Sequence, residues 1–130
     1  MGTFKRVEKK YLINKELLEA LLTRLGDRVT SDEFGLHAVC NLYFDDDDND
    51  LIRRSIDKPP FKEKIRLRSY GIPSDEEIVF LEIKKKYHGT VYKRRVRIPY
   101  KVAMEYIING IYPKDYDCQI LREIDYSINY

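Results

Sequence analysis

The sequence predicts an α+β domain in which an antiparallel β-sheet has helices packed on its outside. Three observations support this fold class. Several segments alternate apolar and charged residues at every second position, which is the period of β-strands. Other segments repeat leucine or isoleucine at three- and four-residue spacing, which is typical of helices. The chain has 130 residues, 43% of them hydrophobic, so residues 1–130 suffice for a single domain with a buried core.

The first third of the chain predicts a strand, a helix and a second strand. Residues 4–13, "FKRVEKKYLI", alternate as a strand does. Asn14 is a suitable N-cap for the helical segment "KELLEALLTRLG", and Gly26 ends that helix. The leucines of this segment share one side of the helix: Leu17, Leu18, Leu21, Leu22 and Leu25. The second strand is predicted over residues 37–44.

The rest of the chain predicts one short helix, three strands and two further helices. Asp50 is expected to cap the short helix over 51–57, which Pro59 and Pro60 end. The three strands, separated by glycine-containing turns, span about 62–70, 78–87 and 90–98. The last two helices span 100–109 and about 117–128, the latter with Ile120, Ile124 and Ile128 along one stripe.

Several functional classes are disfavoured by residue content. No apolar run approaches the roughly 20 residues of a membrane-spanning helix, and no signal-peptide core is present, so a cytoplasmic protein is expected. Cys40 and Cys118 lack the spacing of zinc ligands and are predicted to be reduced thiols. The acidic run 45–50 lacks the glycine and the terminal glutamate of an EF-hand loop. It is predicted to be a solvated loop that leads into a helix.

Charge is distributed unevenly along the chain. The formal net charge is only +2, yet residues 62–101 contain 12 Lys and Arg against 5 Asp and Glu. This segment carries +7 and the remainder carries −5. Such a separation predicts a cationic surface or cavity, and therefore an anionic partner.

The period of two places the charges of four predicted strands on one face. These charged residues are Arg6, Glu8 and Lys10; Lys64, Arg66 and Arg68; Glu82, Lys84 and Lys86; and Lys93, Arg95 and Arg97. Crowded cations repel one another unless an anion neutralises them, and phosphate chains match the donors of Arg and Lys. Glu8 and Glu82 are expected to orient Lys10 and Lys84, to form ordinary cross-strand salt bridges, or to hold a divalent metal ion.

Four ordered segments resemble the VTC domain of polyphosphate polymerases, a branch of the triphosphate tunnel metalloenzymes related to CYTH domains. The segments are "RVEKKYLI", "NLYFDDDDNDLI", "KIRLRSYG" and "FLEIKKKYHGTVYKRRVRI". The resemblance implies a tunnel of antiparallel strands lined by Lys and Arg. In that tunnel ATP or another nucleoside triphosphate donates its terminal phosphoryl group to polyphosphate, with Mn²⁺ or Mg²⁺ as cofactor.

The resemblance also implies roles for individual residues. Lys10, Arg66, Arg68 and Lys84 are implied to contact phosphate during catalysis. One or both of Arg94 and Arg95 are implied to join them, and the period of two favours Arg95. The other cations of the same face are expected to bind phosphate: Lys64, Lys86, Lys93 and Arg97.

The family pattern is complete for only its N-terminal half in this sequence. We therefore expect an N-terminal portion of a larger tunnel domain, with a naturally short relative as the alternative. Such a portion is expected to be inactive alone as a polymerase and to form a homodimer through its exposed strand edges.

Two other functions fit parts of the pattern. A CYTH-type triphosphate hydrolase would use the same cations with water as acceptor, but Glu8-Lys9-Lys10 is ExK where the CYTH signature is ExExK. A non-catalytic polyphosphate-binding or nucleic-acid-binding module would also place cations among aromatics such as Tyr70 and Tyr92. Because the tyrosines are not grouped as a stacking platform, no nucleic-acid partner is expected.

Overall fold

A computed structural model of the protein describes residues 7–33 and 35–129. Its helices and strands, in chain order, are α1 Lys15–Leu25, β1 Val39–Tyr43, α2 Asp50–Ile56, β2 Phe61–Tyr70, β3 Ile78–Tyr87, β4 Thr90–Pro99, α3 Tyr100–Asn109 and α4 Gln119–Asn129. Short 3₁₀ turns follow α1 and precede α4. The predicted α+β class is confirmed, and these bounds agree with the predicted elements from residue 37 onward to within two residues.

The strands form one open antiparallel sheet in the order β1-β2-β3-β4. The pairing of β3 with β4 follows from their short connection, which consists of the two residues His88 and Gly89. Both have positive φ values, 45° and 80°, as the tightest hairpin turns require. The antiparallel sheet is confirmed, whereas its closure into a tunnel stays a prediction.

The hydrophobic core lies between one face of the sheet and helices α3 and α4. Strand residues at every second position are buried there, including Ile65 and Leu67 of β2 and Leu81 and Ile83 of β3. The helices contribute Ala103, Tyr106, Leu121 and Ile124. In α4 the core side is therefore formed by Leu121 and Ile124, while Ile120 is only half-buried and Ile128 is exposed. A hydrogen bond donated by the Tyr106 hydroxyl to Asp125 joins α3 to α4.

The strand predicted over residues 4–13 is wrong for residues 7–13, and residues 4–6 lie outside the described part of the chain. Residues 7–13 have no regular secondary structure, and Val7, Tyr11 and Leu12 are exposed. Alternation indicates a strand only where a neighbouring strand accepts its backbone hydrogen bonds. The described sheet does not include this segment as a strand.

Helix α1 confirms both predicted ends but not a core contact. Asn14 Oδ1 accepts a hydrogen bond from Leu17 N at 2.8 Å, and Gly26 follows the helix with a φ of 50°. None of the residues of α1 is buried. On its predicted apolar side, four leucines have 43–53% of their surface exposed to solvent: Leu17, Leu18, Leu21 and Leu22. This helix is therefore specified by local signals rather than by packing.

Helix α2 begins differently from the prediction, because Asp50 is its first residue and not its cap. The amide of Asp50 donates to Asp46 Oδ1 at 2.8 Å. The amides of Leu51 and Ile52 donate to the carboxylate of Asp45 at 2.9 and 3.1 Å. Desolvation acts to raise the pKa of Asp45, but these backbone hydrogen bonds outweigh it and lower the pKa. The acidic run thus supplies acceptors for the first amides of α2.

We expect Asp45→Ala to lower the melting temperature by removing acceptors from the first turn of α2. Because the native pKa of Asp45 is lowered, its stabilising effect is present at neutral pH and is lost as the pH falls through that native pKa. Thermal unfolding of both proteins between pH 7 and pH 3 measures this. Asp48→Ala is the control, since it removes the same charge from the same run. An equal loss in both variants would assign the effect to net charge.

Candidate functional site

The face of the sheet opposite the core, here called the cationic face, carries charged residues on three strands. They include Lys64, Arg66 and Arg68 of β2, Glu82, Lys84 and Lys86 of β3, and Lys93, Arg95 and Arg97 of β4. The strand register aligns Lys64, Lys84 and Lys93 in one row and Arg66, Glu82 and Arg95 in the next. The predicted arrangement of charges is confirmed for these three strands.

Glu82 lies at the centre of the cationic face and is only 2% exposed. Its carboxylate is 3.2 Å from Arg66 Nη2, 3.3 Å from Lys93 Nζ and 3.5 Å from Arg68 Nε. A buried carboxylate is tolerated because these cations compensate it. Three positive charges around one negative charge nevertheless leave an excess of positive charge at this point. Glu82 is therefore a counter-ion that holds the cations in place without neutralising them.

One oxygen of Glu82 is incompletely satisfied. Among the described residues, no group donates a hydrogen bond to Glu82 Oε1. Arg68 Nε is within ion-pair distance of it, but its N–H is donated to Asn41 Oδ1 at 2.9 Å. Arg68 Nε and Glu82 Oε1 therefore attract each other electrostatically but do not form a well-directed hydrogen bond. The Arg68 guanidinium is therefore positioned by Asn41 of β1 and by Glu82 of β3.

Two residues of the site, Tyr43 and Asn41 on β1, were missed by sequence reasoning. The register pairs Tyr43 with Arg66 and Asn41 with Arg68. The Tyr43 hydroxyl accepts a hydrogen bond from Arg66 Nη1 at 3.0 Å, and this bond is the main reason that the pKa of Tyr43 is lowered. Asn41 and Tyr43 are two positions apart in "NLY", so the sequence indicated that they share one face of a strand. Only the pairing of β1 with β2 shows which cations they contact.

Arg95 and Arg97 lie over an aromatic ring on the same face. The guanidinium carbons are 4.5 and 5.9 Å from the centre of the Phe80 ring. Phe80 shares the cationic face because it follows the same period of two as Glu82. Cation–π attraction at such distances supports the positions of both guanidinium groups.

Lys84 stands among other cations and is partly shielded from water. Desolvation is the largest cause of its lowered pKa, and the positive charges of Lys10, Arg66 and Lys64 lower it further. The charge of Glu8 acts in the opposite direction. Glu8 and Lys10 are thus close enough to influence Lys84, although the segment that carries them is not a strand.

Lys10 and Arg94 differ most from the positions expected for a shared strand face. Lys10 Nζ is 3.5 Å from Glu8 Oε1, and the Lys10 side chain is strongly exposed. Arg94 lies on the opposite side of the sheet from Arg95, where its Nη1 donates to Glu123 of α4. The β3–β4 ladder pairs Ile83 with Arg94 and Glu82 with Arg95, so no bulge brings Arg94 to the cationic face. The structure therefore groups Arg95, and not Arg94, with the other cations.

The described residues do not form a ready-made metal site. They contain no group of three or more His, Cys, Asp or Glu side chains that could hold a metal ion. Glu82 is surrounded by three cations, which would repel a metal ion at the same carboxylate. Coordination of a metal ion by Glu8 and Glu82 stays a prediction.

The described part of the chain is thus an open antiparallel sheet with a cationic face on one side and helices α3 and α4 on the other. The family model of the VTC domain matches residues 5–128. The chain belongs to the VTC domain family. No curated protein and no solved structure is a significant match to it. Within residues 7–33 and 35–129, no helix has the length and apolar character needed to cross a membrane.

We expect Glu82→Gln to lower the free energy of unfolding by roughly 3 kcal/mol, because it breaks a buried ion pair. This value is at the low end of the usual range, since the three cations can turn partly toward water. Chemical denaturation measures this change. Glu63→Gln is the matched control on the other face, since it breaks only the more exposed ion pair with Lys85 and should cost about 1 kcal/mol or less. Similar losses in both variants would show that Glu82 is not the central counter-ion.

We expect Lys84→Met to raise the melting temperature at neutral pH, because it removes a partly desolvated charge from among other cations. A lysine with a lowered native pKa costs stability while it is protonated. The gain should therefore fade as the pH rises through the native pKa toward the ordinary value of 10.5. Lys85→Met, on the opposite face beside Glu63, is the control and should not raise the melting temperature. A gain in both variants would indicate a general effect of added apolar surface.

Proposed function

We propose that the cationic face binds the phosphates of nucleoside triphosphates and polyphosphate, and that the domain serves transfer of a terminal phosphoryl group to a polyphosphate chain. The observation that carries this proposal is the excess of cations around Glu82. Arg66, Arg68 and Lys93 share a single buried carboxylate. An anion placed beside them relieves repulsion that the protein itself leaves uncompensated. Membership of the VTC family supports the same class of ligand.

The spacing of the cations suits a chain of anions. Neighbouring strands lie about 4.8 Å apart, so a row that crosses the sheet presents a side chain at each such step. One row consists of Lys64, Lys84 and Lys93, and the neighbouring row contributes Arg66 and Arg95. A linear polyphosphate lying across the strands would therefore meet cations repeatedly along its length. A single compact anion would use only a few of them.

In phosphoryl transfer, the protein's contribution is mainly to position the reactants and to compensate charge on the transferred group. Arg66 and Arg68 would provide the directional donors, because both guanidinium groups are already held by Glu82 and by β1. Lys84 would act as a compensating charge. A bound phosphate would raise its lowered pKa, since an opposite charge favours protonated lysine. Mn²⁺ or Mg²⁺ remains the expected cofactor of the reaction.

The choice between polyphosphate and water as acceptor separates a polymerase from a CYTH-type hydrolase. Incubation with ATP and Mn²⁺ distinguishes the two reactions by their products, and neither product is expected if residues 1–130 are inactive alone. Growth of polyphosphate supports the proposed transfer, whereas release of orthophosphate alone supports hydrolysis. Competition of tripolyphosphate against single-stranded RNA tests the remaining alternative, since a phosphate-chain site should prefer tripolyphosphate.

We expect Arg66→Ala and Arg68→Ala each to weaken tripolyphosphate binding by about 1–3 kcal/mol, the range for hydrogen bonds to charged groups. Arg95→Ala should weaken it as well. Isothermal titration calorimetry at constant ionic strength measures these affinities. Arg122→Ala, an exposed change on α4, is the control and should bind like the unaltered protein.

Unchanged affinity in both the Arg66 and the Arg68 variants would remove these residues from the site. Arg94→Ala tests the register in the same titration. If Arg94→Ala weakens binding more than Arg95→Ala does, the anion does not lie on the face that carries Glu82.

A further inference from the structure

We propose that a pocket between β1 and α2 holds the base of the nucleoside triphosphate whose phosphates lie on the cationic face. This inference rests on the proposed function and deepens it. The pocket, here called the base pocket, is lined by Tyr43, Phe44, Asp45, Leu51, Ile52 and Lys64 and has a volume of about 250 Å³. It lies where the end of β1 meets the first turn of α2.

The base pocket is continuous with the cationic face. Lys64 belongs to both, since it lines the pocket and stands in the row with Lys84 and Lys93. Tyr43 also belongs to both, because it lines the pocket and its hydroxyl accepts a hydrogen bond from Arg66. A ligand with phosphates beside Arg66 and Lys64 would therefore have its next chemical group at the mouth of this pocket.

The lining has the wrong chemistry for phosphate and the right chemistry for a heterocycle. Two aromatic residues, Tyr43 and Phe44, and two aliphatic residues, Leu51 and Ile52, form most of the wall. Polyphosphate has no apolar part that could use these groups. A nucleobase has flat faces that pack against aromatic and aliphatic side chains. The volume is below the usual 300–1,000 Å³ of drug-sized ligand sites, which suits one base better than an entire nucleotide.

The wall of the base pocket is held in place before any ligand binds. Asp45 accepts hydrogen bonds from the amides of Leu51 and Ile52, which ties the end of β1 to the start of α2. The amide of Phe44 donates to Ile65 O at 3.0 Å, which anchors the same segment to β2. A preformed wall reduces the entropy that a ligand must lose on binding.

Isothermal titration calorimetry with ATP and with tripolyphosphate, at matched ionic strength, tests the inference. We expect Ile52→Ser to lower the affinity for ATP by roughly five- to tenfold, because apolar contact with the base is lost. The affinity for tripolyphosphate should change less than twofold. Ile56→Ser is the matched control, since Ile56 is on the same helix, is 73% exposed and lies outside the pocket. It should alter neither affinity.

The outcomes separate this inference from the proposed function. If tripolyphosphate binds but Ile52→Ser leaves ATP binding unchanged, or weakens both ligands equally, the base pocket is wrong while the cationic face stands. If the unaltered protein binds neither ligand, the proposed function fails and the base pocket with it. Ile52 is 55% exposed, so the variant is expected to fold, and Ile52→Ala offers a milder change for the same titration.

Discussion

The burial of Glu82 is the constraint on which the cationic face depends. A carboxylate that is 2% exposed is stable only when cations surround it, and the sheet places three of them at 3.2–3.5 Å. The same carboxylate permits the cations to stand so close together. Without it, Arg66 and Arg68 of β2 and Lys93 of β4 would repel one another with no negative charge between them. One buried negative charge therefore organises the surface and leaves it positively charged.

The separation of core and cationic face follows from the period of two in β-strands. Arg94 and Arg95 are neighbours in sequence, yet one pairs with Glu123 of a covering helix and the other lies over Phe80. A shift of one residue in the register would exchange the two faces along a whole strand. The apolar residues under α3 and α4 prevent such a shift. Packing of the apolar residues on one side of the sheet thus determines which charged residues lie on the other side.

The two helices that precede β2 obtain their stability in different ways. Helix α1 has a capped start and a glycine end but no buried residue. Helix α2 is tied by Asp45 to the end of β1, beside Tyr43 and Lys64. Among these two, α2 is the helix that contributes a wall next to the cationic face. Its short length is compensated by side-chain acceptors at its first turn.

The sequence alone determined the features that depend on near neighbours. The period of two predicted β2, β3 and β4 and the residues of their cationic face. Helical spacing predicted α1, α3 and α4, and Asn14 and Gly26 predicted the two ends of α1. Contacts between distant parts of the chain were decided only in the tertiary structure. Residues 7–13 alternate like a strand but have no partner in the described sheet. The partners of Glu82 and the places of Tyr43 and Asn41 depend on register, which local pattern does not specify because each strand's alternation is compatible with several pairings.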